Sequence, residues 1–226
     1  MRKDYNNRED LMNGLATQVA GELAGAISER GRASFAAPGG STPAPFLNAL
    51  SNADIDWSKV SVMLGDERFV AEDSPRSNTK LLRENLLINK AASAKLVAMT
   101  KDASAPEDVI GELIAGVDAH LPLDVVVVGM GEDMHTASLF PDSPDLADAL
   151  SVNAPTLAII RAENAGEPRI TMTAHVLRAA RHKHVLLAGQ NKITPLEKAM
   201  AATTELEAPI RVVIAGENPA TIHYAD

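Results

Sequence analysis

An α/β fold built on one mainly parallel sheet, covered by helices on both faces, is what this sequence predicts. Three observations predict it. Apolar strand-like runs alternate with amphipathic segments along all 226 residues, the order of β-α units rather than of separate strand and helix blocks. Val125–Val128 is four valines with no polar side chain, the mark of a strand buried on both faces. Leu11, Leu15, Val19, Leu23 and Ile27 recur every four residues, giving a helix one apolar stripe to lay on a sheet.

In chain order, that stripe makes Arg8–Arg30 the first helix. Strands are expected at Ala33–Ala37, Val60–Leu64, Lys95–Met99, Asp124–Val128, Leu157–Ile160, His184–Ala188 and Ile210–Ala215. Helices are expected between them at Pro43–Ala53, Asn78–Leu87, Pro106–His120, Thr173–Arg181 and Asn191–Ala202. No repeat, low-complexity tract or long linker interrupts the alternation, so residues 1–226 are expected to form a single domain. The pattern leaves strand order open.

Composition narrows the function. With one Trp, two Tyr and four Phe, the core must be built from Ala, Val, Leu and Ile. A formal net charge of −9 disfavours nucleic acid and anionic membranes as partners, and an anionic ligand would need a locally basic pocket. The chain has no cysteine, which excludes disulfides, a thiol nucleophile and Cys-based zinc sites. The amino-terminal "MRKDYNNREDL" is polar, unlike a signal peptide. No apolar run approaches the ~20 residues of a membrane span, so a soluble, cytoplasmic protein is expected.

Ligands of open α/β sheets bind beyond the carboxyl ends of the strands, so the segments after each strand are where chemistry is sought. "PGGSTP" (Pro38 to Pro43) runs from a strand into a helix. Its glycines let backbone N–H groups approach an anion, Thr42 or Ser41 suits the N-cap and Pro43 the first helical position. A phosphate site and a well-capped tight turn both fit it. "GDER" (Gly65 to Arg68) offers a guanidinium for bidentate clamping of an anion, or an ordinary surface ion-pair cluster. "GMGEDMH" is no dinucleotide fingerprint, because Met134 holds the third-glycine position and two acids would face the pyrophosphate. Asp133 and His135 instead suit an orienting carboxylate and a general base, against the alternative of a histidine capping the next helix. His182 and His184 look solvated. His120 lies near a helix end and His175 on a helix. Neither a compact zinc spacing nor a G-x-S-x-G elbow occurs.

Taken in order, "GGSTP", "GDERFV…SPRSN", "GMGEDMHTASLFP", "PRIT" and "GQNK" resemble the motif series of 6-phosphogluconolactonases, within the wider superfamily of glucosamine-6-phosphate deaminase/isomerases. The resemblance runs from about Ala33 to Ile214. It implies hydrolysis of 6-phosphoglucono-1,5-lactone to 6-phosphogluconate in the oxidative pentose phosphate pathway, a Rossmann-like fold, and no metal or organic cofactor. The implied partner is a small phosphorylated sugar lactone, with no nucleic acid and no membrane. By the same resemblance His135 is the general base and Asp133 its partner. Gly39, Gly40, Ser41 and Thr42 cradle phosphate, while Arg68, Arg169 and Lys192 hold the phosphate or polarise the lactone. Asp66 and Asn78 line the pocket.

One departure stands out. Family members usually carry glycine where this chain has Met134, and a methionine tolerates positive φ or close substrate approach poorly. Two rival functions follow. A deaminase/isomerase would resemble H-I-A-F-N-E-P after the shared histidine, but "HTASLFP" puts Phe140 at the acid's place, and a benzyl ring relays no proton. A non-catalytic sugar-phosphate sensor would result if Met134 disabled the chemistry.

Overall fold

The computed structural model describes residues 1–163 and 165–226. The chain runs β1 (Arg2–Asp4), α1 (Arg8–Arg30), β2 (Ala33–Ala37), α2 (Ala44–Ser51), β3 (Val60–Leu64), β4 (Asp66–Arg68) and α3 (Asn78–Asn85). It continues through β5 (Lys95–Leu96), α4 (Ile110–Asp118), β6 (Val125–Val128), α5 (Leu146–Leu150), β7 (Leu157–Ile160) and β8 (Arg169–Met172). The last elements are α6 (Ala174–Ala179), β9 (His182–Ala188), α7 (Ile193–Ala201), α8 (Arg211–Ile214) and β10 (Thr221–Ala225).

Local chemistry sets the first of these. Asn7 caps α1 by accepting from the Asp10 N–H at 2.8 Å, and Gly31 ends it in the left-handed region at φ 72°. Leu11, Leu15, Val19 and Leu23 of the stripe are fully buried. Seven strands form one all-parallel sheet in the order β1-β10-β9-β6-β2-β3-β5. The chain builds outward from β2 through β3 to β5, then returns at β6 and builds the other way. The direction therefore reverses between β2 and β6, where such sheets open a ligand crevice. All four valines of β6 are buried, so helices cover both faces there. Among the described residues no helix is long and apolar enough to cross a membrane.

A second, antiparallel sheet of β4, β8 and β7 stands at the carboxyl end of β3. It joins the chain there through Gly65, whose carbonyl accepts from Met172 N–H at 2.9 Å. The expected strand Leu157–Ile160 thus exists but belongs to this small sheet. Three short strands (β1, β4 and β8) and the helix α5 were not anticipated, and β5 is shorter than the expected Lys95–Met99.

One expected strand is wrong. Ile210–Ala215 holds the short helix α8, and the strand comes later, at β10. Val212 and Val213 are buried, so the apolar run is explained by burial alone. Periodicity does not separate a short buried helix from a strand. The Ile210 N–H is spent on the Met134 carbonyl at 3.0 Å, which ties this segment to the loop after β6.

Candidate active site

Four strand ends converge on one cleft of about 490 Å³, a size suited to a small metabolite. The segments after β2, β3, β6 and β9 all line it. Gly39, Gly40, Ser41, Thr42, Asp66, Arg68, Asn78, His135, Arg169 and Lys192 are among the lining residues. Asp133 is not, but it touches His135 from behind.

The loop after β6 is pinned at many points. Gly131 N–H donates to the His135 carbonyl at 3.0 Å and Met134 N–H to the Gly131 carbonyl at 3.1 Å. Thr136 Oγ1 donates to the Gly129 carbonyl at 3.0 Å, and Lys192 Nζ to the Met130 carbonyl at 3.0 Å. Further along, Ser138 N–H donates to Thr171 Oγ1 at 3.1 Å. These bonds fix the half-exposed His135 ring, whose Nδ1 lies 2.6 Å from Asp133 Oδ1. A carboxylate at that distance takes the Nδ1–H tautomer and leaves Nε2 with its lone pair. Burial raises the Asp133 carboxyl, but the hydrogen bond and charge of His135 outweigh it, and the group lies below its ordinary value. A side chain at Gly131 would overlap both the His135 ring and the Asp133 carboxylate. The dyad therefore requires glycine there. His135 caps no helix, because the residues after it form turns and one isolated bridge.

Met134 has φ 68°. The backbone does adopt the left-handed conformation that glycine accommodates, and methionine bears it as local strain. The dyad is nonetheless assembled.

The cationic side is equally specific. Arg68 of β4 and Arg169 of β8 are directly opposed cross-strand partners. Like charges in that position repel. Their Nε atoms are buried with no hydrogen-bond partner among the described residues. Burial pushes the Arg169 guanidinium down from its ordinary value, Arg68 adds to the effect, and Asp66 opposes it. Carboxylates stand near both guanidinium groups, Glu167 Oε1 at 3.8 Å from Arg68 Nε and Asp66 Oδ2 at 4.0 Å from Arg169 Nη1, and the arginine pair has the chemistry to bind an anion. Its surroundings are organised too, since Asp66 accepts from Ser138 Oγ. Phe140 packs against both sides of the site, its ring centroid 4.5 Å from that of His135 in a tilted arrangement and 5.8 Å from Arg169 Cζ.

Asn78 links the two phosphate-type motifs. Its Oδ1 accepts from Gly40 N–H and from Arg68 Nη1, both at 3.1 Å, and its Nδ2 donates to the Asp66 carbonyl at 3.0 Å. A Cβ at Gly39 would overlap the Asn78 amide, so close approach explains that glycine. Ser41 and Thr42 do not cap α2, whose N-cap is Pro43 with no side-chain bond. Both residues are exposed at the cleft.

Several participants were not among the expected site residues. Gly131 and Phe140 carry visible signals in the motif. Glu67 carries none, because its burial depends on the second sheet. His184 was expected to be solvated and is instead 2% exposed, whereas its neighbour His182 is exposed.

The geometry agrees with the company this sequence keeps. The 6-phosphogluconolactonase of Rhizobium meliloti strain 1021 is 42% identical over 98% of this chain and 97% of its own. That of Pseudomonas aeruginosa PAO1 is 39% identical over 97% and 92%. The crystal structure of the 6-phosphogluconolactonase of Shewanella baltica OS155 superposes with a TM-score of 0.97 at 33% identity, covering 100% and 97% of the two chains. A monomeric glucosamine-6-phosphate deaminase shares the fold, at a TM-score of 0.80 and 13% identity. Over residues 6–222 the sequence matches the family described as glucosamine-6-phosphate isomerases/6-phosphogluconolactonase, and the chain belongs to that family.

Proposed function

We propose that this chain hydrolyses 6-phosphoglucono-1,5-lactone to 6-phosphogluconate in the oxidative pentose phosphate pathway. The observation that carries the reading is the His135–Asp133 contact at 2.6 Å, set in the same cleft as two opposed arginines. It pairs a base with a ready anion site. The lactonase relatives, at up to 42% identity across the chain, support the same substrate.

A δ-lactone is an activated ester, so positioning, proton transfer and charge stabilisation suffice. A water gives a proton to His135 Nε2 as its oxygen bonds to the carbonyl carbon. Asp133 stabilises the imidazolium that forms. The cations of the cleft offset the oxyanion of the tetrahedral intermediate. On collapse, the bond from the former carbonyl carbon to the ring oxygen breaks, and the imidazolium returns its proton to that oxygen. The product leaves as an open-chain acid that ionises. Gly39, Gly40, Ser41 and Thr42, with Lys192 and Arg68, take the phosphate, and Asp66 and Asn78 hold the surrounding loops. No metal or organic cofactor enters any step. A cytoplasmic location suits the role, since a charged sugar phosphate crosses a bilayer poorly.

Phe140 disfavours the isomerase/deaminase alternative, because its ring packs on His135 where an acid would be needed. Assays side by side decide between them. Lactone opening well above the spontaneous rate, with no ammonia released from glucosamine 6-phosphate, is expected. Ammonia release without lactone opening would reverse the assignment, and ligand-dependent stabilisation with neither turnover would make the chain a sensor.

A further inference from the structure

We infer that Glu67 is a positioning residue for the cleft, setting Arg68 and Asn78 through a buried carboxylate. The inference rests on the reading of the cleft as a sugar-phosphate site.

Glu67 is 0% exposed and, among the described residues, forms no salt bridge. A buried carboxylate without a cation must be satisfied by hydrogen bonds. Glu67 collects five. Its Oε1 accepts from the N–H groups of Arg68 and Asn78, each at 2.8 Å. Its Oε2 accepts from Thr79 N–H at 2.6 Å, Thr79 Oγ1 at 2.8 Å and Ser77 Oγ at 3.2 Å. One side chain thereby welds the end of β4 to the amino-terminal turn of α3. The two residues whose backbone it grips on Oε1 are the two whose side chains enter the cleft. Arg68 Nη1 in turn donates to Asn78 Oδ1, and that oxygen also holds Gly40 N–H. The carboxylate thus fixes the Gly40 loop and the Arg68 guanidinium relative to each other at one remove.

Glutamine is the informative replacement because it keeps size and removes acceptors. If its amide takes the Oε1 position, two backbone N–H groups face it. If it takes the Oε2 position, the hydroxyls rotate but Thr79 N–H still loses its acceptor. No orientation satisfies every donor. The β4–α3 joint must open, and Arg68 and Asn78 must move with it.

The experiment compares the unmodified chain with Glu67→Gln and with the milder Thr79→Val, which deletes one hydroxyl from the same cluster. Lactone turnover by the unmodified chain tests the functional reading by itself. Affinity for 6-phosphogluconate, by calorimetry, tests the positioning role whether or not turnover occurs. Glu67→Gln is expected to raise KM and to weaken 6-phosphogluconate binding by about tenfold, the scale of one misplaced charge-assisted hydrogen bond. The kcat should fall far less, since His135 and Asp133 are untouched. Thr79→Val should shift both in the same direction by a smaller factor. In an Arg68→Ala background the Glu67→Gln effect should shrink, because part of it runs through Arg68. A folded Glu67→Gln chain with lowered Tm but unchanged KM and affinity would make Glu67 a purely structural prop. Should Glu67→Gln fail to fold, unchanged affinity in Thr79→Val overturns the proposal and weakened affinity upholds it.

Discussion

Two groups of histidines in this chain show how differently the same side chain can be used. His135 stands at a strand end and lines the cleft, with Nδ1 on Asp133 and Nε2 without a protein hydrogen-bond partner among the described residues. His184 and His223 lie inside the protein between α1 and the sheet, and every ring nitrogen is taken. Tyr5 Oη meets His223 Nδ1 at 2.8 Å, His223 Nε2 meets His184 Nδ1 at 3.1 Å, and His184 Nε2 meets Glu22 Oε2 at 2.7 Å. One assignment of protons satisfies the whole chain: Tyr5 donates to His223, His223 to His184 and His184 to Glu22, with both imidazoles neutral. Burial, then the neighbouring His184 and Lys3, push His223 down to about 3. A satisfied histidine braces the fold, and a half-satisfied one at a cleft is free for proton transfer.

The largest expected effect separates the two groups. His135→Ala should lower kcat by about 10²–10⁴, the usual loss for a general base, with little change in 6-phosphogluconate affinity. A variant within threefold of the native kcat would remove His135 from the mechanism.

Next in size is the anion pocket beside the dyad. Lys192→Ala should weaken 6-phosphogluconate binding by about 10–100-fold, the equivalent of roughly 1.5–3 kcal/mol for a charged hydrogen bond. Weak turnover of an unphosphorylated lactone should fall far less, by no more than the lost Lys192–Met130 contact loosens the loop that carries His135, and equal losses on both substrates would refute a phosphate role.

The buried group should announce itself in acid instead. Well above pH 6.5 His223 is neutral in both the folded and unfolded chain. As pH falls from about 6.5 to about 3, the unfolded chain takes up a proton that the folded one refuses, so stability declines. The slope from this residue reaches about 1.4 kcal/mol per pH unit and vanishes below the folded value. Glu22 acts in the same direction: burial raises its carboxyl, but its hydrogen bonds from His184 and Gln18 prevail and hold it below the ordinary value. Its contribution is lost as pH falls through that lowered value. Urea melts across this range on His223→Leu should show a flatter acid limb than the native chain, and identical slopes would mean His223 titrates normally.

The smallest effect belongs to Met134. At φ 68° it carries strain of order 1–3 kcal/mol for a non-glycine residue. Met134→Gly should keep or modestly raise kcat/KM, while its stability change is small because glycine adds chain entropy to the unfolded state. A clear fall in kcat/KM with an intact fold would show that the methionine has become part of the pocket.

The legibility of these features in sequence follows from how local each one is. The stripe of α1, the valines of β6 and the glycine-led strand ends are written in consecutive residues, and all three read correctly. The ordered motifs brought ten of eleven expected site residues to one cleft, with Asp133 directly behind His135. What stayed hidden depends on distant pairing. The opposition of Arg68 to Arg169 needs the β4–β8 register, set by segments about a hundred residues apart. His184 reads as solvated beside exposed His182, and only Glu22 on α1 and His223 on β10 explain its burial. Ile210–Ala215 looks like a strand because burial, not conformation, selects its β-branched residues.

The most direct test of the central claim places His135→Ala and His223→Leu in one assay of phosphorylated-lactone opening, with the spontaneous rate subtracted. At pH 7 His135→Ala should lose about 10²–10⁴ in kcat, while His223→Leu, if folded at the assay temperature, should stay within a few-fold of the native chain. Comparable turnover by His135→Ala and the native chain would contradict the account.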